Sequence, residues 1–313
     1  MEAIGGYFEL ELRNGEHFHN SAIRLNTARN CFEYILRARG YKKVYIPYYT
    51  CEVMLEPLKK CSVAYEYYHI NKEFEPADYI LIKDGEALLY TNYFGLKQNC
   101  VKRLASLYGN NLIVDNAQAF YAKPIEGIDT FYSARKFFGV ADGAYLYTNC
   151  PLDILLEQDQ SYQRMSHLLK RADIGAELGY QDFKNNDNSL INNPIKKMSN
   201  LTEDILRSID YEEIKNKRRD NYLVLAEALN ATNKLHFSLQ GDDIPMVYPF
   251  LSERTKLKQQ LIEQKIYIAT YWPNVLEWCK NDDWEYKIAS NCCYLPVDQR
   301  VNIEMINHII NLI

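Results

Sequence analysis

The sequence contains no run of 18 or more apolar residues, so it offers no segment that could cross a bilayer as a helix. Glutamates interrupt its first residues, which lack the basic-then-apolar order of a signal peptide. Lysine and arginine are scattered among the acidic residues instead of forming blocks, and the formal net charge is −5. These absences predict a cytoplasmic protein that binds neither membranes nor nucleic acid.

Paired cysteine motifs are also absent. None of the eight cysteines has the CxxC spacing of a zinc site, so no metal site is predicted. Without a secretory segment, the thiols are expected to be reduced and mostly buried as small apolar side chains. What the sequence does contain is typical of a folded globular protein: 313 residues, 47% of them hydrophobic and 25% charged.

The first half of the chain alternates between strand and helix patterns. Apolar runs predict strands at 43–47, 63–70 and 79–82, and another at 87–91 that continues into a Gly-ended loop. Helical spacing lies between them, at 24–36 and 101–108 among other places. This alternation predicts an α/β fold with a mostly parallel sheet that is covered by helices.

After residue 148 the pattern changes. We predict a long polar helix over 152–170 and an Asn-rich loop over 175–193 that faces solvent or a partner. A large cofactor-binding domain is predicted over 1–209 and a smaller α+β domain over 210–313. The remaining predicted elements are helices at 202–209, 211–229, 254–264 and 303–313 and strands at 236–239, 246–251, 267–270 and 292–295.

The stretch 114–148 carries the most informative chemistry. Asp115 ends an apolar run, a position where open α/β sheets bind ligands, and Lys136 follows 21 residues later. Ser133, Arg135 and Lys136 place a hydroxyl, a permanent cation and an amine within four residues, which suits a phosphate-bearing aldehyde cofactor. Aromatic neighbours of Lys136 predict a desolvated wall around the amine. Taken singly, a solvated lysine and a turn-capping aspartate remain the simpler interpretations.

A second candidate feature lies near the N-terminus. Asn26 or Thr27 is a plausible N-cap for the first predicted helix. The start of a helix offers unpaired amide groups and the positive end of the helix dipole, so Thr27 and Ala28 could contribute backbone donors to a phosphate site.

Together, these motifs resemble the DegT/DnrJ/EryC1/StrS family of sugar aminotransferases. The segment VDNAQA at 114–119 is similar to the family's strand-end motif, with Asp115 and Gln118 at the cofactor-contacting positions. In FYSARK at 131–136, Lys136 falls at the Schiff-base lysine, and LNTA at 25–28 resembles the phosphate loop. The tail segments 261–273 and 294–297 also resemble family motifs. The family usually has a ring-stacking aromatic where Cys51 stands, so Tyr48 or Tyr49 is expected to substitute.

The resemblance implies a three-layer, fold-type-I transferase that binds pyridoxal 5'-phosphate. It implies an aminotransferase that moves an amino group from an amino acid such as glutamate to a keto group, by resemblance that of a nucleotide-linked keto-sugar in polysaccharide biosynthesis. It also implies a homodimer with the active site at the interface. The cofactor contacts expected from the motifs are Asn26, Thr27, Ala28, Tyr49, Asp115, Gln118, Ser133, Arg135 and Lys136, with Lys136 and Asp115 catalytic.

Two other functions stay open at this point. The first is a sugar dehydratase or another pyridoxal-phosphate reaction, although dehydratases of the family have histidine in place of the lysine found here as Lys136. The second is a non-catalytic member that binds sugar nucleotides. The phosphate loop lacks its usual glycine, and Lys136 follows Ser133 by three residues where five are usual.

Overall fold

The computed structural model describes residues 4–254 and 256–313, and its centre is a seven-stranded sheet of order β1-β7-β6-β5-β4-β2-β3. Strand β7 is antiparallel to both of its neighbours, and the other neighbouring strands pair in parallel. The carboxyl ends of six strands therefore meet at one edge. The strands are β1 (Ile23–Leu25), β2 (Lys43–Pro47), β3 (Ala64–Tyr68), β4 (Glu86–Thr91), β5 (Leu112–Asn116), β6 (Asp129–Ser133) and β7 (Ala144–Tyr147).

The sheet is buried on both faces, which makes the fold three-layered. Along β4 and β5, Leu88 and Val114 belong to one apolar cluster while Leu89 and Ile113 belong to the other, as the alternation of side chains in strands requires. Helices cover each face: α1 (Ala28–Arg39), α2 (Leu55–Lys60), α3 (Gln98–Tyr108), α4 (Ser166–Asp173), α5 (Ala176–Ser189) and α6 (Asn200–Arg207). The predicted α/β class with a mostly parallel sheet is confirmed.

The C-terminal part is built around a two-stranded antiparallel sheet, β8 (Val247–Phe250) with β9 (Cys293–Pro296). Its buried residues, Tyr248 and Leu295 among them, share one apolar cluster with Val114 of the large sheet. The domain division at 209/210 stays a prediction. The helices here are α7 (Tyr211–Leu229), α8 (Leu257–Glu263), α9 (Val275–Trp278), α10 (Trp284–Asn291) and α11 (Ile303–Leu312).

Five predicted elements are wrong. The segments 79–82, 236–239 and 267–270 are not strands; in the first, Tyr79 and Leu81 are 67% and 64% exposed, so a short apolar run without a sheet neighbour stays irregular. The predicted helix over 152–170 is irregular up to its last turns, where α4 begins. The predicted Asn-rich loop is helix α5, because Asn186 donates to the carbonyl oxygen of Ala141 (2.9 Å) and α5 packs on α4.

Among the residues that the structure describes, no helix has the length and apolar character needed to cross a membrane.

Candidate active site

Asp115 lies at the carboxyl end of β5, in register with Thr91 on β4 and Phe131 on β6. Its carboxylate is buried, and one oxygen accepts a hydrogen bond from the amide of Ala117 (2.8 Å). Burial raises the pKa of Asp115, and the charge of Lys136 opposes that shift. The structure therefore brings the two residues, which are 21 positions apart, within electrostatic reach of each other.

Lys136 ends a short helical turn, Ala134–Lys136, that follows β6 directly. Phe137 and Phe138 after it are buried, but Lys136 itself is exposed, so the expected desolvated wall does not enclose the lysine. Its amine nitrogen lies 5.7 Å from the ring centroid of Trp272, which comes from the C-terminal part of the chain. The amine thus projects into a site with an aromatic wall on one side.

Gln118 is fully buried three residues after Asp115. Its side-chain oxygen accepts a hydrogen bond from the main-chain amide of Phe94 (3.1 Å), while its side-chain nitrogen has no acceptor among the described residues. A buried donor without an acceptor costs free energy in the folded protein, so such groups commonly mark a site that is completed by a ligand or a water. Gln118 offers such a donor.

The residues predicted to bind the cofactor's phosphate lie at the same edge of the sheet as Asp115. Thr27 is the N-cap of α1, and its hydroxyl accepts from the amide of Asn30 (3.1 Å). The first amides of any α-helix, that of Ala28 here, have no acceptor within the helix. Leu25 before the helix and Ser133 at the end of β6 are both register partners of Ala144, so the helix start and the Ser133 hydroxyl lie at one level of the sheet.

Asn26 is fully buried and holds a neighbouring segment. Its side-chain oxygen accepts from the side-chain nitrogen of Asn30 (2.7 Å), and its own nitrogen donates to the carbonyl oxygen of Pro194 (3.1 Å). Its main-chain oxygen accepts from the amide of Gly143 (2.6 Å). Asn26 therefore fixes the start of α1 against its surroundings, and its predicted contact with a cofactor stays a prediction.

Arg135 points towards α5. Its guanidinium donates to Asp187 (2.6 Å), and its charge contributes to the lowered pKa of His167, which results mainly from burial. The structure thus gives Arg135 a carboxylate partner outside the sheet edge. Its predicted contact with phosphate stays a prediction.

The aromatic side chains around the site differ from the expected arrangement. Tyr49 is fully buried, with its hydroxyl hydrogen-bonded to that of Tyr294 and its ring edge-on to Trp272 (5.1 Å). Tyr48 stacks on Tyr67, with ring centroids 4.6 Å apart. The ring of Trp272 lies 5.7 Å from the Lys136 amine, and a stacking role for Tyr49 stays a prediction.

Cys51 occupies the position of the expected aromatic, and it lies within electrostatic reach of Lys136. Burial raises the pKa of the Cys51 thiol, while the charges of Lys136 and Arg29 oppose the shift. A small thiol at this position leaves more room beside the amine than an aromatic ring would.

Sequence reasoning missed two contributors to the site. Trp272 was recognised only as part of a tail motif, and the turn around Phe94 only as the end of a strand. Near the site, Arg218 of α7 is 1% exposed, and its guanidinium lies 4.6 Å from the centroid of the Phe137 ring, next to Lys136 in sequence. Burial lowers the pKa of Arg218 to about 10. One sequence signal could have identified the turn around Phe94. The carboxyl ends of the strands in a parallel sheet meet at one edge, so the residues that directly follow β4 are expected near the residues that follow β5.

Comparison with protein-family models finds no match, and comparison with curated proteins finds none either. Solved structures do match. DesV of S. venezuelae has a TM-score of 0.64 and 15% identity over 93% of this chain and 83% of its own. A DegT DnrJ EryC1 StrS aminotransferase from Brucella abortus has a TM-score of 0.62 and 16% identity over 93% and 84%. A putative sugar aminotransferase of Streptococcus pneumoniae in its PLP form has a TM-score of 0.63 and 15% identity over 93% and 85%.

These similarities extend over nearly the whole chain. The protein has the fold of the DegT/DnrJ/EryC1/StrS-type sugar aminotransferases, the fold-type-I architecture that the motifs predicted.

Proposed function

We propose that the protein is a pyridoxal-phosphate-dependent aminotransferase that acts on small molecules in the cytoplasm. One observation carries the proposal: the amine of Lys136 and the carboxylate of Asp115 lie within electrostatic reach, and Gln118, three residues after Asp115, has a buried amide nitrogen without an acceptor among the described residues. An amine, a buried carboxylate and a buried donor are the groups that a pyridine aldehyde with a phenolic oxygen requires. The shared fold with sugar aminotransferases supports the same function.

The described residues fit the cofactor, because the unsatisfied donor of Gln118 suits its phenolic oxygen. Asp115 suits the ring nitrogen, and the amine of Lys136 suits the aldehyde carbon. The phosphate would be held by Ser133 and by the start of α1. When bound, pyridoxal phosphate accepts the electron pair released at the Cα atom of an amino acid and carries the amino group between substrates.

Each side chain then has a defined task. Asp115 would hold a proton on the ring nitrogen, because a carboxylate in a buried site stabilises the adjacent positive charge. The amine of Lys136 would hold the cofactor, and in the reaction its nitrogen would accept the proton from Cα of the amino donor. Gln118 would donate to the phenolic oxygen. The Trp272 ring would cover one side of the amine.

Glutamate is the proposed amino donor and a nucleotide-linked keto-sugar the proposed acceptor. The match to a putative sugar aminotransferase supports the sugar, and the sequence motifs of the site support the nucleotide-linked form. We place the enzyme in polysaccharide biosynthesis on the same grounds.

We further propose a homodimer. The hairpin of α4 and α5 exposes large apolar side chains, which are rarely gathered on the surface of a monomer. Their exposed fractions are 65% for Leu169, 55% for Ile174, 63% for Leu178 and 57% for Tyr180. The Asn-rich segment predicted to face a partner is part of this hairpin.

The test is a visible spectrum of the purified protein with pyridoxal phosphate. We expect a yellow protein whose visible band disappears on borohydride reduction, with the reduced adduct located on Lys136 by peptide mass spectrometry. Lys136→Ala should lose the band, while Lys123→Ala, at a lysine that is 84% exposed, should keep it. Glutamate should bleach the band and yield 2-oxoglutarate. A Lys136→Ala protein that still forms the reducible adduct contradicts the assignment.

A further inference from the structure

A tight turn at 92–95, directly after β4, forms hydrogen bonds with chain segments of the candidate site. The amide of Asn92 donates to the carbonyl oxygen of Asp115 (3.0 Å), and the hydroxyl of Tyr93 donates to the carbonyl oxygen of Tyr49 (2.9 Å). The turn is fully buried. It is therefore tied to two chain segments that supply candidate site residues.

The third contact of the turn fixes the orientation of a side chain. A glutamine amide can be rotated by half a turn so that its oxygen and nitrogen exchange places. The main-chain amide of Phe94 can only donate, so the atom of Gln118 that it meets at 3.1 Å must be the oxygen. The nitrogen of Gln118 is then the other terminal atom of the amide group, and it is buried without an acceptor among the described residues.

The backbone of the turn has an unusual conformation. Phe94 has φ 58° and ψ 10°, a left-handed conformation that bulky residues rarely adopt, and Gly95 follows with φ 74°. A Cβ atom on Gly95 would lie 2.6 Å from the carbonyl oxygen of Ile244, so this position has no room for a side chain. The Phe94 carbonyl accepts from the amide of Met246 (2.8 Å), and its ring is fully buried.

We propose that the turn at 92–95 is a positioning element that sets the polarity of the Gln118 amide, so that a donor and not an acceptor faces the phenolic oxygen of the cofactor. Met246 and Ile244, which precede β8, hold the turn in place, so the C-terminal part supports the amide orientation of Gln118, which follows β5 of the large sheet. This inference rests on the proposed function. A donor at the phenolic oxygen stabilises its ionised form and thereby shifts the pH at which the bound cofactor changes colour.

The first experiment uses the cofactor-loaded protein and follows its visible absorption against pH. We expect Gln118→Leu and Gly95→Ala each to raise the midpoint of the colour change by about one pH unit, as loss of one charge-assisted hydrogen bond predicts. The double variant should shift no further than Gln118→Leu. Gly40→Ala is the matched control, because Gly40 has φ 63° but a Cβ atom added there would meet no other atom within 4 Å; it should keep the wild-type midpoint.

The second experiment needs no cofactor and does not depend on the stability of Gly95→Ala. Amide hydrogen exchange of the peptide covering the turn is measured in cofactor-free protein, where Gln118→Leu should accelerate exchange at Phe94 by about tenfold or more, because its acceptor is gone. An unchanged exchange rate at Phe94 in Gln118→Leu overturns the positioning role. The role is also overturned if the midpoint of the colour change is shifted in Gln118→Leu but is that of the wild type in Gly95→Ala. Wild-type protein without a visible band overturns the proposed function instead, and the exchange result still decides whether the turn holds Gln118.

Discussion

The amine nitrogen of Lys136 lies 5.7 Å from the ring centroid of Trp272, although the two residues belong to different parts of the chain. Lys136 follows a strand of the large sheet, and Trp272 precedes α9 in the C-terminal part. Trp272 also packs edge-on against Tyr49 with its ring centroid 5.1 Å away. The surroundings of the amine are therefore formed jointly by both parts of the protein.

Replacing Trp272 should test this contact. Trp272 is 8% exposed, so Trp272→Ala should lower the free energy of unfolding of cofactor-free protein by about 3–5 kcal/mol, the usual cost of removing a large buried aromatic side chain. Trp272→Phe keeps an aromatic face and should cost about half as much or less. Urea denaturation measures both variants; equal losses for Ala and Phe would show that the aromatic face contributes little.

Asp115→Asn should stabilise cofactor-free protein above acidic pH. Burial raises the folded-state pKa of Asp115 above its ordinary 3.8, so the folded protein binds this proton more tightly than the unfolded chain. The free energy of unfolding therefore falls as pH rises above 3.8, and the loss is complete once the pH exceeds the pKa of Asp115 in the folded protein. Asparagine carries no such penalty and can still accept from Ala117.

Thermal denaturation from about pH 4 to about pH 8 measures this effect. The melting temperature of Asp115→Asn should exceed that of the wild type at the upper end of this range, and the difference should shrink on acidification. The same variant should lose transamination, because a neutral amide does not hold a proton on the ring nitrogen. A difference in melting temperature that is constant with pH would contradict the buried, ionised carboxylate.

His19 predicts an opposite dependence on pH. Burial lowers the pKa of His19 from 6.5 to about 4, because the charged ring loses its contact with water, and the hydrogen bond from the ring to the carbonyl oxygen of Phe120 (2.8 Å) opposes only part of this shift. The unfolded chain binds the proton more tightly, so stability is complete above pH 6.5 and falls as pH drops from 6.5 to about 4. The loss amounts to about 3 kcal/mol.

Urea denaturation at about pH 7.5 and about pH 4.5 checks this contribution. His19→Gln should remove most of the acid-dependent loss, while His308→Gln, at an exposed position on α11, should leave it as in the wild type. An unchanged loss in His19→Gln would show that other groups cause the acid sensitivity.

Leu178→Glu should dissociate the proposed homodimer. Leu178 on α5 is 63% exposed within the apolar surface of the α4–α5 hairpin, and a carboxylate there would have to be desolvated in an interface. Leu223→Glu is the matched control, because Leu223 is 49% exposed on α7 outside that hairpin. Light scattering after size-exclusion chromatography should show a dimer for the wild type and the control, and a monomer for Leu178→Glu. A dimeric Leu178→Glu would exclude this surface as the interface.

Local patterns predicted those elements in which burial is uniform or follows a regular period along the chain. β5 is buried at every residue, and α7 begins at the predicted residue 211, after Asp210, whose side chain accepts from the amide of Glu213. The Asn-rich segment was misread because composition favours a loop, whereas the contacts of Asn186 and Asp187 with distant residues favour a helix.

The sequence by itself determined the α/β class, the acid at the end of β5 and the amine after β6, because strand periodicity and motif spacing are local properties. Only the tertiary structure decided that Trp272 lies beside Lys136, that Arg135 contacts Asp187, and that the turn after β4 contacts Gln118. These relationships join residues that are far apart in sequence, and side-chain packing and unpaired polar groups define them only once the chain has folded.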